Sequence, residues 1–161
     1  KVISGGKTRS ESSYLGLKAC STKCANVLIH DAARPFASKS IYNSCIKYLE
    51  GYDSVVPLAP MRDTPLYIEP NKTQQKASFL NRNYLKAIQT PQAFKYDCIK
   101  SAYDNKMENK TDDLQILLAY NPKSKIRFIK GEERNFKITT QRDINLIKEL
   151  YNKRKHQILY E

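Results

Sequence analysis

Short apolar runs alternate along this chain with longer stretches in which apolar residues recur every three or four positions. Four of the runs have the composition and length of buried strands: 26–30, 53–58, 86–89 and 126–129. Five of the stretches have the features of helices: 12–24, 38–51, 94–105, one opening at Thr111 and one opening at Thr140. This alternation predicts a three-layer α/β sandwich around a mostly parallel sheet.

Residues 59–85 break the alternation. Three prolines fall in this segment, and short extended pieces at 66–68 and 77–79 flank a turn signal at 69–72. This pattern predicts a protruding two-stranded β-arm. Because an isolated hairpin is only marginally stable in water, the arm needs a surface to pack on, and a second copy of the chain is the natural candidate.

Composition and charge narrow the class of protein. A length of 161 residues suits one domain, spanning 1–161. Lys and Arg number 28 against 16 Asp and Glu, so the formal net charge of +12 favours anionic partners. The basic residues are spread along the chain without a basic tail or an aromatic RNA-binding motif, so we do not expect nucleic acid as a partner.

No apolar run has the length of a membrane span and no signal-peptide pattern opens the chain. This predicts a cytoplasmic protein, or one of a plastid-type organelle in a eukaryote.

The segment 27–36 carries the most informative chemistry. Its sequence, VLIHDAARPF, runs from a buried strand straight into ionisable side chains. In open α/β sheets ligands bind just outside the carboxyl ends of the strands, so Asp31 and Arg34 are candidate binding residues. Pro35 ends the strand because it lacks the N–H that a ladder requires. Taken alone, the segment is equally compatible with a solvated salt bridge at the end of a strand.

Seven motifs occur in an order that is informative as a set. They are GGKTRSES at 5–12, VLIHDAARPF at 27–36, PMRDT at 60–64, NRN at 81–83, QTPQAF at 89–94, TDD at 111–113 and GEERNFKITT at 131–140. Each motif is weak alone, but the ordered set resembles the 2-C-methyl-D-erythritol 4-phosphate cytidylyltransferases of the non-mevalonate isoprenoid pathway. The resemblance covers essentially the whole chain and implies a Rossmann-like fold.

The resemblance implies a nucleotidyltransferase. Such an enzyme joins CTP to 2-C-methyl-D-erythritol 4-phosphate, a sugar-alcohol phosphate, and releases pyrophosphate, with Mg²⁺ as the expected cofactor. It also implies a homodimer formed through the 59–85 arm. The closest alternative is the related ribitol-5-phosphate cytidylyltransferase, whose signature tends towards HDSVRPF where this chain has HDAARPF. An alternative of a different class is a non-catalytic fragment that binds acidic partners through its basic surface.

The same resemblance assigns roles to individual residues. The catalytic cations are matched by Lys137 and Arg82, and the substrate-binding positions by Asp31, Arg34, Thr64, Thr90 and Thr111. The nucleotide-binding positions are matched by Gly6, Ser12 and Asp31, and Asp31 is also the candidate nearest the metal. Thr64 and Arg82 are expected to reach the site of the other subunit. Without the motifs, Gly6 would be a plain turn glycine, Ser12 a helix N-cap and Lys137 a surface lysine.

One feature of that family has no match in this chain. The family's Gly-rich loop, of the type AxGxGxRM, cradles the triphosphate through its backbone N–H groups. This chain has five glycines, none of them in such a loop, and it begins within a predicted strand. We therefore expect an N-terminal strand–loop unit to lie before Lys1, and we expect the chain by itself to be inactive.

Overall fold

Strands and helices alternate along most of the chain in the computed structural model, which describes residues 1–69, 76–105 and 110–158, with side chains up to residue 149. The helices are α1 Arg9–Lys18, α2 Lys39–Lys47, α3 Tyr96–Asp104, α4 Asp113–Tyr120 and α5 Gln141–Ile158. The strands are β1 Asn26–Ile29, β2 Ser54–Pro60, β3 Leu66–Ile68, β4 Ala77–Phe79, β5 Lys86–Ile88, β6 Gln92–Lys95 and β7 Ile126–Lys130. Within the described residues, no helix combines the length and the apolar character that a membrane crossing requires.

In the main sheet, the carboxyl ends of three strands and the amino end of a fourth lie at one edge. Strand β6 lies between β1 and β2 and is antiparallel to both. Strand β7 pairs parallel with β2 on its other side, and β5 pairs antiparallel with the end of β2. Strands β1, β2 and β7 therefore point the same way, so their carboxyl ends and the amino end of β6 meet at one edge of the sheet.

The α/β class is confirmed, but the sheet is mixed where a mostly parallel one was predicted. Of the four ladders described in it, only β2–β7 is parallel. The helix predicted over 94–105 is confirmed as α3, but it begins at Tyr96, and strand β6 precedes it where no strand was predicted. Phe94 is opposite Val27 in one ladder and opposite Ser54 in the other, so pairing on both sides decides its conformation.

Helices cover both faces of the sheet, which confirms the three layers. Ala93 and Phe94 are neighbours in β6, and their side chains point to opposite faces. Phe94 packs with residues of α1, α3 and α4 in a core of buried side chains: Leu17, Val27, Ile99, Ala102, Tyr103, Ile116 and Leu117. Ala93 packs with residues of α2 and β2 in a second core: Cys45, Leu49 and Val55.

Two helix starts differ from the predicted ones. Helix α1 begins at Arg9 and not at Ser12, because Thr8 and Glu11 form a capping box in which each side chain accepts the other's backbone N–H. Helix α4 is capped by Asp112, whose carboxylate accepts the Leu114 N–H, and not by Thr111. In both cases a neighbouring residue supplies the cap and moves the helix start.

The arm segment forms the predicted hairpin. Strands β3 and β4 pair in a separate two-stranded sheet, with Leu66 opposite Phe79 and Ile68 opposite Ala77. The predicted turn at 69–72 lies, apart from Glu69, outside the described residues. Large apolar side chains of the hairpin and of the segment after it are exposed: Leu66, Tyr67, Ile68, Phe79, Leu80, Tyr84 and Ile88.

Candidate active site at the carboxyl edge of the sheet

Three cations surround the carboxylate of Asp31, which follows β1 at the carboxyl edge. Arg9 Nε lies 3.0 Å from Asp31 Oδ1, and Lys137 Nζ lies 3.0 Å from Oδ2. Arg34 Nε is farther away, at 3.8 Å from Oδ2. The cations come from α1, from the loop after β1 and from the segment after β7. The fold therefore assembles a charged cluster from three separate parts of the sequence.

Hydrogen bonds before and after Lys137 in the sequence hold its backbone next to the cluster. Two residues before it, the buried Asn135 donates from Nδ2 to the Thr90 carbonyl at 2.8 Å. One residue after it, the Ile138 N–H donates to the Ala33 carbonyl at 2.8 Å. The Lys137 side chain nevertheless remains 41% exposed, so its ammonium can also contact a ligand.

Arg34 is braced by backbone carbonyls. Its two terminal nitrogens donate to the carbonyls of Asn135, at 2.8 Å, and of Ile88, at 3.4 Å. Burial lowers the pKa of the guanidinium, and the nearby charge of Asp31 partly offsets this effect. The Arg34 side chain is only 12% exposed, so it contributes a positive charge at a fixed position beside Asp31.

Arg9 is a site residue that the sequence interpretation missed, although it lies inside the quoted motif at 5–12. Its Nη2 donates to Asp113 Oδ2 at 2.7 Å, so its guanidinium bridges Asp31 and Asp113. That motif was the signal in the sequence, because the partner Asp113 lies 104 positions away and its burial shows only in the folded chain.

Asp31 and Arg9 stabilise each other's charged forms. Burial acts to raise the pKa of Asp31, but the hydrogen bond from Lys137 and the charge of Arg9 outweigh it, so the pKa lies below its ordinary value. Burial also acts to lower the pKa of Arg9, and the interactions with Asp113 and Asp31 outweigh it in the opposite direction. Three cations thus face the carboxyl groups of Asp31 and Asp113, and the carboxyl group of Asp112 also lies near Arg9 and Arg34.

An open cavity of about 730 Å³ lies between α1 and β1 and reaches the cluster. Arg9, Ser12 and Asp31 lie among its lining residues, together with apolar residues such as Leu17 and Val27. Its volume falls within the range of small-molecule binding pockets. The cavity therefore joins a predicted nucleotide-binding residue, Ser12, to the charged cluster.

A hydrogen bond and a close backbone contact fix the loop before α1. The Gly6 N–H donates to Ser12 Oγ at 3.0 Å, and Ser12 lies within α1, so it does not cap the helix. A Cβ atom at position 6 would collide with the Cβ of Glu11. Only glycine fits this close approach, which brings the loop backbone against the first turn of α1.

The predicted threonines take different positions. The Thr90 side chain is 3% exposed, and its hydroxyl accepts the Asp31 N–H at 3.0 Å and lies 3.1 Å from His30 Nδ1. Thr90 therefore braces the loop that carries Asp31. Thr111 is exposed, hydrogen-bonds weakly to Gln115, and lies two residues before Asp113.

Thr64 and Arg82 lie at the base of the hairpin. Both are exposed, and Arg82 Nη1 donates to the Arg62 carbonyl at 3.1 Å. In the part of the chain that the structure describes, neither side chain hydrogen-bonds to Asp31, Arg34 or Lys137. One subunit alone therefore does not bring them into the cluster.

Comparison with known proteins identifies the family. A family model described as "IspD: 2-C-methyl-D-erythritol 4-phosphate cytidylyltransferase" matches residues 1–153. A relative of that name from Clostridioides difficile (strain 630) is 36% identical over 158 residues, which are 96% of this chain and 65% of the relative. The chain belongs to the 2-C-methyl-D-erythritol 4-phosphate cytidylyltransferase family.

Further relatives agree in sequence and in fold. The bifunctional enzyme IspD/IspF of Pelagibacter ubique (strain HTCC1062) is 41% identical over 92% of this chain and 39% of the relative. The crystal structure of 4-diphosphocytidyl-2C-methyl-D-erythritol synthase from Anaerococcus prevotii DSM 20548 matches with a TM-score of 0.85 and 33% identity, covering 94% of this chain and 67% of that one. The chain thus spans about two thirds of the length of its single-function relatives.

Proposed function

We propose that the full-length protein joins CTP to 2-C-methyl-D-erythritol 4-phosphate to give 4-diphosphocytidyl-2-C-methyl-D-erythritol and pyrophosphate. The observation that carries the proposal is the cluster of Arg9, Arg34 and Lys137 around Asp31, at one end of a cavity of ligand size. Both reactants are anions, and such a cluster attracts them.

The chemistry requires positioning and charge stabilisation. A phosphate oxygen of the sugar-alcohol phosphate attacks the α-phosphorus of CTP in line, and the bond from that phosphorus to the pyrophosphate oxygen breaks. Lys137 holds the attacking phosphate, because it is the most exposed cation of the cluster. Asp31 accepts hydrogen bonds from sugar hydroxyls, since its pKa is low enough to keep it ionised. Arg34 and Thr111 also bind the sugar-alcohol phosphate, and Thr90 holds the loop that carries Asp31.

The nucleotide occupies the cavity between α1 and β1. Gly6 and Ser12 contact the base, and Asp31 lies between the nucleotide and the sugar-alcohol phosphate. One feature supports this placement: Ser12 lines the same cavity as Asp31.

Mg²⁺ is the proposed cofactor. Among the described residues no group of three or more His, Cys, Asp and Glu side chains is placed to hold a metal ion. Asp31 is the carboxylate that would hold the ion, and phosphate and water oxygens would supply its other ligands. When bound, the ion neutralises phosphate charge. Removal of divalent cations with EDTA should abolish turnover, and added Mg²⁺ should restore it, which a pyrophosphate-release assay measures.

The hairpin forms the homodimer in this proposal. Its exposed apolar side chains require a partner surface, and Thr64 and Arg82 at its base lie outside the cluster of their own subunit. We assign both residues to the phosphate site of the partner subunit.

The decisive experiment measures pyrophosphate release by the full-length protein with CTP and either 2-C-methyl-D-erythritol 4-phosphate or ribitol 5-phosphate. We expect turnover with the methylerythritol substrate and at least ten-fold lower kcat/KM with ribitol 5-phosphate. Preference for ribitol 5-phosphate would replace the proposal with the related activity. CTP binding without any turnover would favour a non-catalytic protein.

A further inference from the structure

Asp113 is a buried carboxylate next to the proposed active site, outside the residues to which a role has been given. It is the first residue of α4, and its side chain is fully buried. Oδ2 accepts from Arg9 Nη2 at 2.7 Å, and Oδ1 accepts from the hydroxyl of Tyr103. A buried negative charge is costly unless it is paired and hydrogen-bonded, and both of its oxygens are satisfied here.

We propose that Asp113 is a positioning residue that fixes Arg9 and, through Arg9, the orientation of the Asp31 carboxylate. This inference rests on the proposed function. The guanidinium is a planar fork, so fixing its Nη2 edge at Asp113 also fixes the direction of Nε. Nε donates to Asp31 Oδ1 at 3.0 Å.

The arrangement matters because Asp31 faces several cations. With Arg9 holding Oδ1, Oδ2 is the oxygen that meets Lys137. If Arg9 is released, Asp31 can turn, and Lys137, which pairs with its Oδ2, moves with it. The ammonium would then be displaced from the position at which it meets the substrate phosphate. Asp113 thus controls the geometry of the cluster without touching substrate.

A purely structural role makes a different prediction. In that case the loss of Asp113 would lower stability, while the folded fraction would keep its kinetic constants. Tyr103→Phe supplies the matched control, because it removes a hydrogen bond to the same buried carboxylate and leaves the Arg9–Asp113 pair in place. The two variants therefore separate a loss of stability from a loss of positioning.

The test compares full-length wild type with Asp113→Asn, Tyr103→Phe, Arg9→Gln and the double variant Arg9→Gln/Asp113→Asn. Thermal unfolding and steady-state kinetics are measured for each. We expect Asp113→Asn to lower kcat/KM for methylerythritol phosphate by roughly 10- to 100-fold, since a small misplacement of reacting groups has effects of this size. Tyr103→Phe should lower kcat/KM by less than about three-fold. The kcat/KM of the double variant should be no lower than that of Arg9→Gln alone.

Wild-type kinetics in folded Asp113→Asn, or a double variant slowed by the product of both single effects, would overturn the inference. If Asp113→Asn does not fold, Arg9→Lys carries the test, because lysine keeps the charge but cannot bridge both carboxylates with one planar group. Wild-type kinetics in Arg9→Lys would overturn the inference as well. A wild-type protein without cytidylyltransferase activity would instead refute the proposed function.

Discussion

Among the residues of the site, Asp31 has more positive neighbours than one carboxylate can neutralise. Arg9 and Arg34 are largely enclosed, and their hydrogen bonds go to other protein groups as well. Lys137 has Asp31 as its ion-pair partner and a side chain open to solvent. The most accessible positive charge of the cluster is therefore the ammonium of Lys137, which is where an incoming phosphate would meet it.

Lys137→Gln should mainly impair the use of methylerythritol phosphate. The change removes a cation from the phosphate that has to be held in line, and the loss of one such contact lowers the rate by about 10²–10³-fold. The apparent affinity for CTP should change little. Steady-state kinetics with each substrate varied in turn measure both effects.

Lys123→Gln is the matched control for this variant. It removes the same charge from an exposed residue that precedes the amino end of β7, at the opposite edge of the sheet. Its kinetic constants should equal those of the wild type. An equal loss in both variants would show that the overall charge of the protein, and not the position of Lys137, determines the rate.

At the scale of the elements, the cap of α5 depends on pH. Asp143 Oδ2 accepts the N–H groups of Thr139 and Thr140, and these backbone donors lower the pKa of its carboxyl group. A lowered pKa means that the ionised form stabilises the folded state. This contribution is present above the unfolded pKa of about 3.9 and is lost as pH falls through the lower folded value.

Asp143→Ala should therefore unfold at a lower temperature than wild type at pH 7, and the difference should shrink as the pH is lowered from about 4 towards the lowered folded pKa of Asp143. Circular dichroism melts at pH 7 and across the acid range measure this. Asp97→Ala is the control, since it removes an exposed acidic residue from the first turn of α3. A difference that persists unchanged in acid would show that the carboxylate charge is not what stabilises the cap.

The elements also show how far the sequence predicts this structure. Strands β1, β2 and β7 were predicted because each contains a short apolar run, and Asp31 and Arg34 were placed at a carboxyl edge by the same pattern. Strand β6 was missed because its four residues obtain strand geometry from two neighbours, which local sequence does not contain. Arg9 was missed for a related reason. Its partner Asp113 lies 104 positions away, so only the folded chain brings the pair together.

At the scale of the whole molecule, the proposed dimer rests on the exposed apolar side chains of the hairpin and of the segment after it. Phe79 and Tyr84 are 79% and 84% exposed. Apolar exposure of this kind on a hairpin is a typical mark of an interface. Sedimentation of the full-length protein at micromolar concentration should show a dimer, and Phe79→Glu should shift it towards monomer. A monomer with wild-type activity would contradict the assignment of Arg82 to the partner subunit.

Mixing two inactive variants tests whether Arg82 serves the other subunit. If it does, a heterodimer of Arg82→Ala and Lys137→Ala carries both defects in one site and leaves the other site intact. Each heterodimer should then regain up to about half of the activity of a wild-type dimer, while each variant alone stays inactive. If Arg82 serves its own subunit, every site retains one defect, and mixing restores nothing. Exchange of subunits is verified with differently tagged chains, so that an absence of recovery counts against the crossed arrangement.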